Sequence, residues 1–398
     1  MKYDVAIIGG GILGCATAYR LADNPAIRKL IVIEKESDLG THQTGRNSGV
    51  IHSGIYYTPG SQKAENCRVG RRQLLEFCDR EGIDYEICGK VIVAVSDDEI
   101  TRLHAILQRG VQNGIRCNPV DPDELAELEP HVRGTAGIRV PDTGIIDFRS
   151  VCLRLADRVR DRDHRILTNA EVIAIEPRSD HSVVQTSAGE IEATLVVNCA
   201  GLHSDRIARM AGEEPAFQII PFRGVYYELR EEARHLCNNL IYPVPDPNYP
   251  FLGVHFTRML DGRVECGPNA VLATGREAYS LIPVEMKDMI EILRFRGFRK
   301  MVGKHWRQGI AEMAKTLSKK RYLRALQRLV PSITQDDIVR SRSGIRAQAL
   351  DRNGELVDDF LIIESDRVVN VCNAPSPAAT AGLRIGQLIS ERVASRFS

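Results

Sequence analysis

DVAIIGGGILGCATAYRLA, residues 4–22, is the stretch on which the fold turns. An apolar run of strand length meets three glycines and then a run of small and apolar residues at helical spacing. It reads as buried strand, tight turn and helix. Gly9, Gly11 and Gly14 fit G-x-G-x-x-G. In that pattern the first glycine permits the turn, the second lets backbone approach a pyrophosphate, and the third lets helix and strand pack closely. The next apolar run, KLIVIEKE at 29–36, reads as a second strand that ends at Glu34, twenty positions beyond Gly14. A carboxylate there can accept hydrogen bonds from ribose hydroxyls, while the helix N-terminus favours the pyrophosphate. The unit predicts dinucleotide binding; the plainer alternative is a glycine-rich structural turn.

The rest of the chain bounds what this unit serves. With 398 residues, two domains are expected. Hydrophobic content of 43% and charged content of 26% describe a folded globular chain, and a net charge of +1 argues against a nucleic-acid binder. Ten cysteines are scattered with no C-x-x-C pair, which points to reduced thiols rather than a zinc site or disulfide framework. No metal is expected. The first strand opens at Tyr3, leaving no room for a signal peptide, and no apolar run reaches membrane-spanning length, so a cytoplasmic location is expected. Neither H-E-x-x-H nor G-x-S-x-G occurs, which removes the simplest zinc-protease and serine-hydrolase readings.

Past Glu34 and Lys35 the chain runs into a long polar loop, KESDLGTHQTGRNSGVIHSG at 35–54, instead of a helix and third strand. This pattern resembles the D-amino-acid-oxidase-like flavoproteins, in which such a loop crosses the pyrophosphate of an extended FAD. The resemblance implies FAD as cofactor, with Lys35, Arg46, Asn47 and Ser48 along its path. EATLVVNCAGLHSDRIA, 192–208, is similar to that group's second nucleotide strand, ending at Gly201. On its own it would also suit an ordinary buried strand with a glycine stop.

A narrower resemblance rests on blocks in order along the whole chain. They include TGRNSGVIHSGIYYTPGS (44–61), CGKVIVA (88–94), PDTGIIDFRSV (141–151), FRGVYYEL (222–229), GIRAQA (344–349) and NAPSPAATAGLRIGQLI (373–389). Together they resemble the L-2-hydroxyglutarate dehydrogenase (oxidase) family. Membership would imply FAD-dependent oxidation of L-2-hydroxyglutarate to 2-oxoglutarate, with hydride transfer to flavin N5 and electrons passed to quinone or oxygen. The expected fold is mixed α/β. A discontinuous Rossmann-like FAD-binding domain (1–85, 145–215 and 338–398) is interleaved with an antiparallel-sheet substrate domain (86–144 and 216–337). The last block predicts a helix starting near Pro377, Ala378 and Ala379, its positive end toward the flavin pyrimidine.

Oxidation of a 2-hydroxy acid needs a carboxylate clamp and a base for the hydroxyl proton. Arginine forks suit the clamp, and Arg223, Arg258 and Arg346 stand in family-like blocks; each could instead be structural. For the base, His52 and His255 are the leading histidines. His52 follows the wrapping loop, so it is expected beside the flavin as a catalytic or positioning group, as a covalent attachment point, or as a packed histidine. His42, His104, His131 and His203 are expected to be structural, and Tyr56 and Tyr57 either line the pocket or pack.

Rival readings are a flavin dehydrogenase for glycerol 3-phosphate or an amino acid and, from another class, a non-catalytic FAD-bound assembly factor. One further segment stands out. Between Met286 and Arg328 there are thirteen Lys or Arg against three Asp or Glu, and Phe298, Val302, Trp306, Ile310, Met313 and Leu317 recur at helical spacing. Such a helix either lies on the anionic inner face of the cell membrane, where reduced flavin would meet a quinone, or packs its stripe on the substrate domain with a solvated basic face.

Overall fold

The computed structural model describes residues 2–247, 253–280, 282 and 284–397, with backbone alone at 307, 308, 310–312 and 314–317. Two large sheets and one small one carry the chain. The first sheet is built on the opening unit. Strand Lys2–Ile8 pairs in parallel with Leu30–Ile33 on one side and Gly189–Asn198 on the other. Arg165–Leu167 and Val368–Asn373 extend the parallel set outward, and Val172–Pro177, Ser182–Thr186 and Leu361–Glu364 add antiparallel strands. Val5, Ala6 and Ile7 are fully buried, as continuous apolar strands covered on both faces should be. Helix Ile12–Leu21 packs against helices Phe148–Arg160 and Gly382–Ala394. Small residues set that closeness: a methyl group on Gly386 would meet the backbone of Ala16 at 2.7 Å.

The second sheet runs Val271–Leu272, Phe217–Leu229, Val264–Gly267, His255–Arg258, Leu240–Pro243, Lys90–Ala94, Ala136–Val140, Asn118–Val120, with Ile338–Asp351 laid along Phe217–Leu229. It is antiparallel except where Leu240–Pro243 meets Lys90–Ala94. Strand Ile338–Asp351, expected with the nucleotide unit, therefore belongs to this sheet. Thirteen- and fourteen-residue partners in long antiparallel register bury one another's edges, which the first sheet could not offer this segment. Between the large sheets lies a three-stranded one, Val50–Ile51, Gly144–Ile146 and Tyr85–Glu86. It delivers residue 52 to the boundary of both units.

The segment 286–328 is helical, in three pieces: Met286–Arg294, Arg296–Leu317 and Lys319–Gln327. The middle helix breaks its geometry at His305. Of the expected stripe, Phe298 is buried, whereas Val302, Trp306 and Met313 are exposed; the side chains of Ile310 and Leu317 lie outside the described residues. All ten cysteines are free, and all but Cys88 are buried. Among the described residues no helix is long and apolar enough to cross a membrane.

Candidate active site

The glycine turn forms a cradle whose three glycines do different work. Gly9 has φ of +107°, and a methyl group there would stand 2.5 Å from the carbonyl oxygen of Cys199. It exists so that two strand ends and the turn can meet. On Gly14 a methyl would overlap the carbonyl oxygen of Gly9, so its bareness lets the helix sit against the turn. Gly11 is different: a methyl there would meet only the Thr44 hydroxyl, at 3.3 Å. The space it faces is open, beside the N-terminus of helix Ile12–Leu21, whose first turn holds no acidic residue. Glu34 is buried at the end of the second strand and accepts hydrogen bonds from the backbone N–H groups of Gly10 (2.7 Å) and Glu36 (3.0 Å). A backbone-walled cleft at a positive helix end, with a carboxylate at its rim, fits an extended dinucleotide.

The polar loop over this cleft is pinned from within. The Asn47 amide donates to the carbonyls of Gln43 (3.1 Å) and Thr44 (2.6 Å), and its oxygen accepts from Gly49 (2.8 Å). Arg342, from the second sheet, donates to the carbonyls of Gly45 and Asn47 while pairing with Glu265. Arg46 bonds the Thr41 carbonyl and lies over the Tyr279 ring at 4.1 Å. Lys35 pairs with Glu36 and Glu277, and His42 reaches Tyr279 and Glu36, while His203 reaches Glu277. Burial opposes the charge on Glu277, yet the His203 and Lys35 bonds hold its carboxyl down to about 2. Glu36, His42 and Glu277 converge closely enough for a metal ion, and the Lys35 ammonium already pairs with both carboxylates. Ser48 is half-buried in the same loop, and Gly201, with φ of +51°, faces the side chain of Gln43. Pro377, Ala378 and Ala379 form a turn, and the helix begins only at Gly382. The expected start was too early because prolines at 375 and 377 hold that stretch in turn geometry.

Chemistry-bearing side chains gather where the second sheet faces this loop. Register places Tyr242 across from Ile92, His255 across from Gly267, and Tyr226 just beyond the Tyr227–Cys266 pair. Since side chains alternate, Lys90 shares the face of Ile92, and one sheet face carries Lys90, Tyr242, His255 and Tyr226. Arg346 stands across from Phe222 on the face that also sends Arg342 to the loop. His52 closes the cleft from the small sheet. Its backbone N–H donates to Thr380 (3.1 Å) and its carbonyl accepts from Cys67, so the residue is fixed between the last turn and helix Gln62–Glu81.

His255 is buried and stacked on Tyr242, ring centroids 4.1 Å apart. Its Nδ1 lies 3.0 Å from the carbonyl oxygen of Gly253. A carbonyl only accepts, so Nδ1 carries the proton and Nε2 keeps its lone pair. Burial, then the charges of Arg346 and Lys90, push its pKa down to about 3. His52 is lowered to about 3 as well, by burial first and then by Lys90, His255 and Arg346. Both imidazoles are neutral at ordinary pH. Lys90 is itself buried, its ammonium 4.6 Å from the Tyr56 ring centroid and 4.8 Å from that of Tyr242.

Two expected arginines do not join this group. Arg258 lies three positions from His255 on one strand, hence on the opposite face, and pairs with Glu86. Arg223 stands across from Ile345, on the face opposite to Arg346, and is buried with its guanidinium against the Ser280 carbonyl. His52, His255 and Arg346 are brought together. Lys90 went unremarked in the sequence, although a lysine opening the wholly buried strand KVIVA is a visible anomaly.

The family described as FAD dependent oxidoreductase (DAO) matches residues 4–392. L-2-hydroxyglutarate dehydrogenase of Indibacter alkaliphilus is 46% identical over the full length of both chains. The protein of that name from Escherichia coli is also 46% identical, over 98% of this chain and 93% of its own. Among solved structures, FAD-bound L-alpha-glycerophosphate oxidase from Mycoplasma pneumoniae superposes with a TM-score of 0.81 over 99% of this chain and 95% of its own. At 24% identity that likeness concerns the fold alone.

Proposed function

The chain belongs to the FAD dependent oxidoreductase family and, within it, to the L-2-hydroxyglutarate dehydrogenases, and from that premise we propose that it oxidises L-2-hydroxyglutarate to 2-oxoglutarate. The enzyme is FAD-dependent and works on a small dicarboxylate with an electron acceptor. In this reading the first sheet and its loop hold the cofactor, with Gly11 and Gly14 shaping the pyrophosphate cradle, Glu34 at the ribose, and Arg46, Asn47 and Gly201 along the path. The second sheet forms the substrate side. Bound FAD supplies the two-electron acceptor for the hydrogen on the substrate's hydroxyl-bearing carbon.

The chain's own residues do the rest. Arg346 takes a carboxylate with its planar fork. His255, through the lone pair on Nε2, receives the hydroxyl proton. The tautomer of His255 supports this assignment: Nδ1 donates to the Gly253 carbonyl, which leaves the lone pair on Nε2. A dianionic substrate offsets the two cations that depress the imidazole, so its basicity rises as the substrate arrives. His52, anchored by backbone on both sides, orients the reacting carbon or shares the proton. Anaerobic addition of L-2-hydroxyglutarate to the purified yellow protein tests the reading: the flavin bleaches in one equivalent. A flavin that stays oxidised with this substrate, but bleaches with glycerol 3-phosphate or an amino acid, replaces it with a rival.

A quinone acceptor and docking on an anionic membrane surface belong to the same proposal. The observation in its favour is the exposure of Val302, Trp306 and Met313 beside Lys300 and Lys304, together with Met286, Ile290 and Leu293 on the preceding helix. Exposed apolar side chains flanked by cations suit a headgroup layer.

A further inference from the structure

We propose that Lys90 is the residue that makes this site select a dicarboxylate, its ammonium receiving the substrate carboxylate remote from the hydroxyl while Arg346 holds the near one. The inference rests on the 2-hydroxy-dicarboxylate reading above and assigns it a determinant. Lys90 opens a strand in which every residue is buried, and only 3% of its own surface is exposed. Among the described residues its ammonium has no carboxylate, carbonyl or hydroxyl partner. What it has are two ring faces, Tyr56 at 4.6 Å and Tyr242 at 4.8 Å. Two aromatic faces offset part of the cost of burying a cation, and leave the hydrogen-bonding directions of the ammonium unfilled.

The groups that sense its charge supply no internal counter-ion. His52 and His255 are neutral, and burial pushes the Cys67 thiol up to about 12, so it too stays uncharged. Burial lowers the Lys90 pKa to about 7, which is the cost of this arrangement while nothing anionic is bound. A carboxylate brought into the cleft reverses that cost, because an opposite charge favours the ammonium form. The Tyr56 hydroxyl, buried without a partner, lies on the same side and supplies a further donor. Arg346 and Lys90 come from different strands of one sheet, on either side of the His255 row, so the two cations flank the proposed base. A five-carbon diacid with its hydroxyl next to one end needs that order: cation, base, cation. Monocarboxylic 2-hydroxy acids would leave Lys90 buried and unmatched, and a site built to meet a substrate group rejects analogues lacking it.

The test compares two substrates on each enzyme form: L-2-hydroxyglutarate, and its analogue with a carboxamide in place of the remote carboxylate. The ratio of their kcat/KM values cancels any loss of folded, FAD-loaded enzyme. Wild type should prefer the diacid strongly. Lys90→Met should lower the ratio about 10- to 100-fold, the range expected for one lost charged hydrogen bond, mainly through KM on the diacid. Lys90→Gln, which keeps a polar end, should lower it in the same direction where Lys90→Met fails to retain FAD. A preference for the diacid that survives both substitutions overturns the proposal. So does an equal fall on both substrates carried by kcat, which would put Lys90 in proton transfer or in the fold. Should wild-type flavin be reduced by neither compound, the parent reading fails first and takes this one with it.

Discussion

Alanine at Gly14 and alanine at Gly11 should fail in opposite ways, although both positions belong to one motif. At Gly14 the new methyl would fall inside the carbonyl oxygen of Gly9, a backbone atom with nowhere to go. Helix Ile12–Leu21 would have to draw back by more than about 1 Å, out of its packing on helices Phe148–Arg160 and Gly382–Ala394. Overpacking of that kind costs about 3 kcal/mol, and better helix propensity returns at most about 1 kcal/mol. Gly11 has φ of −85° and ψ of −178°, which any residue adopts, and its methyl would meet only the Thr44 hydroxyl at 3.3 Å. The apoprotein should tolerate that change within about 0.5 kcal/mol. The methyl would stand where the pyrophosphate must pass, so FAD should bind roughly 100-fold more weakly, about 2.7 kcal/mol. Thermal melts of FAD-stripped protein and quenching of FAD fluorescence separate the two effects. Gly14→Ala should lower the melting temperature of the apoprotein by several degrees; Gly11→Ala should leave it in place and lose the cofactor. An apo Gly11→Ala protein that melts early, or binds FAD as wild type does, refutes this division of labour.

Replacing His255 with Gln should slow flavin reduction by roughly 100- to 10,000-fold with little change in substrate affinity, measured by anaerobic stopped flow; a rate within a few-fold of wild type removes it as the base. Arg346→Lys should raise the substrate requirement strongly, whereas Arg258→Lys should not. The Arg258–Glu86 pair is partly exposed, so its loss should cost under about 1 kcal/mol of stability and leave KM alone. His52 and His255 are held neutral, with folded pKa values near 3 and below the unfolded value. Between those limits the unfolded chain binds more protons, so stability falls as pH drops below about 6.5, by about 1.4 kcal/mol per pH unit for each histidine. Urea unfolding at pH 7 and pH 5 reads this, and the drop should shrink in a His52→Phe variant. Finally, low-salt co-sedimentation with anionic liposomes, released by salt and abolished by Lys300→Glu with Lys304→Glu, is expected of a membrane-surface enzyme; protein that stays in the supernatant at low salt sinks that part of the proposal.

The nucleotide unit was legible because its demands are local. A strand, a turn without side chains and a helix lie within nineteen consecutive residues, and each glycine has a steric reason to be where it is. His52 was legible for a related reason: the loop that must cover a dinucleotide ends beside it. Strand Ile338–Asp351 was misplaced because its pairing with Phe217–Leu229 spans more than a hundred residues, and nothing in either stretch names the other. The turn at 376–381 looks like a helix start in sequence, although Pro375 and Pro377 favour turn geometry there.

The arginines differ in how much of their placement the sequence alone decides. His255 and Arg258 are three apart on what was already read as a strand, so one of them had to leave the cleft; the period of two says so without any coordinates. Arg223 is harder, since only the register against Arg346 shows which of two faces it takes. Lys90 is the opposite case. Its burial is a property of strands assembled side by side, yet its oddity is local: a charged residue at the head of KVIVA has no solvent-facing alternative in a strand buried on both sides. A buried lysine without an internal partner either gives up its proton or meets an anion. That rule, applied to the sequence block already singled out, leads to the substrate's second carboxylate more directly than either discarded arginine did.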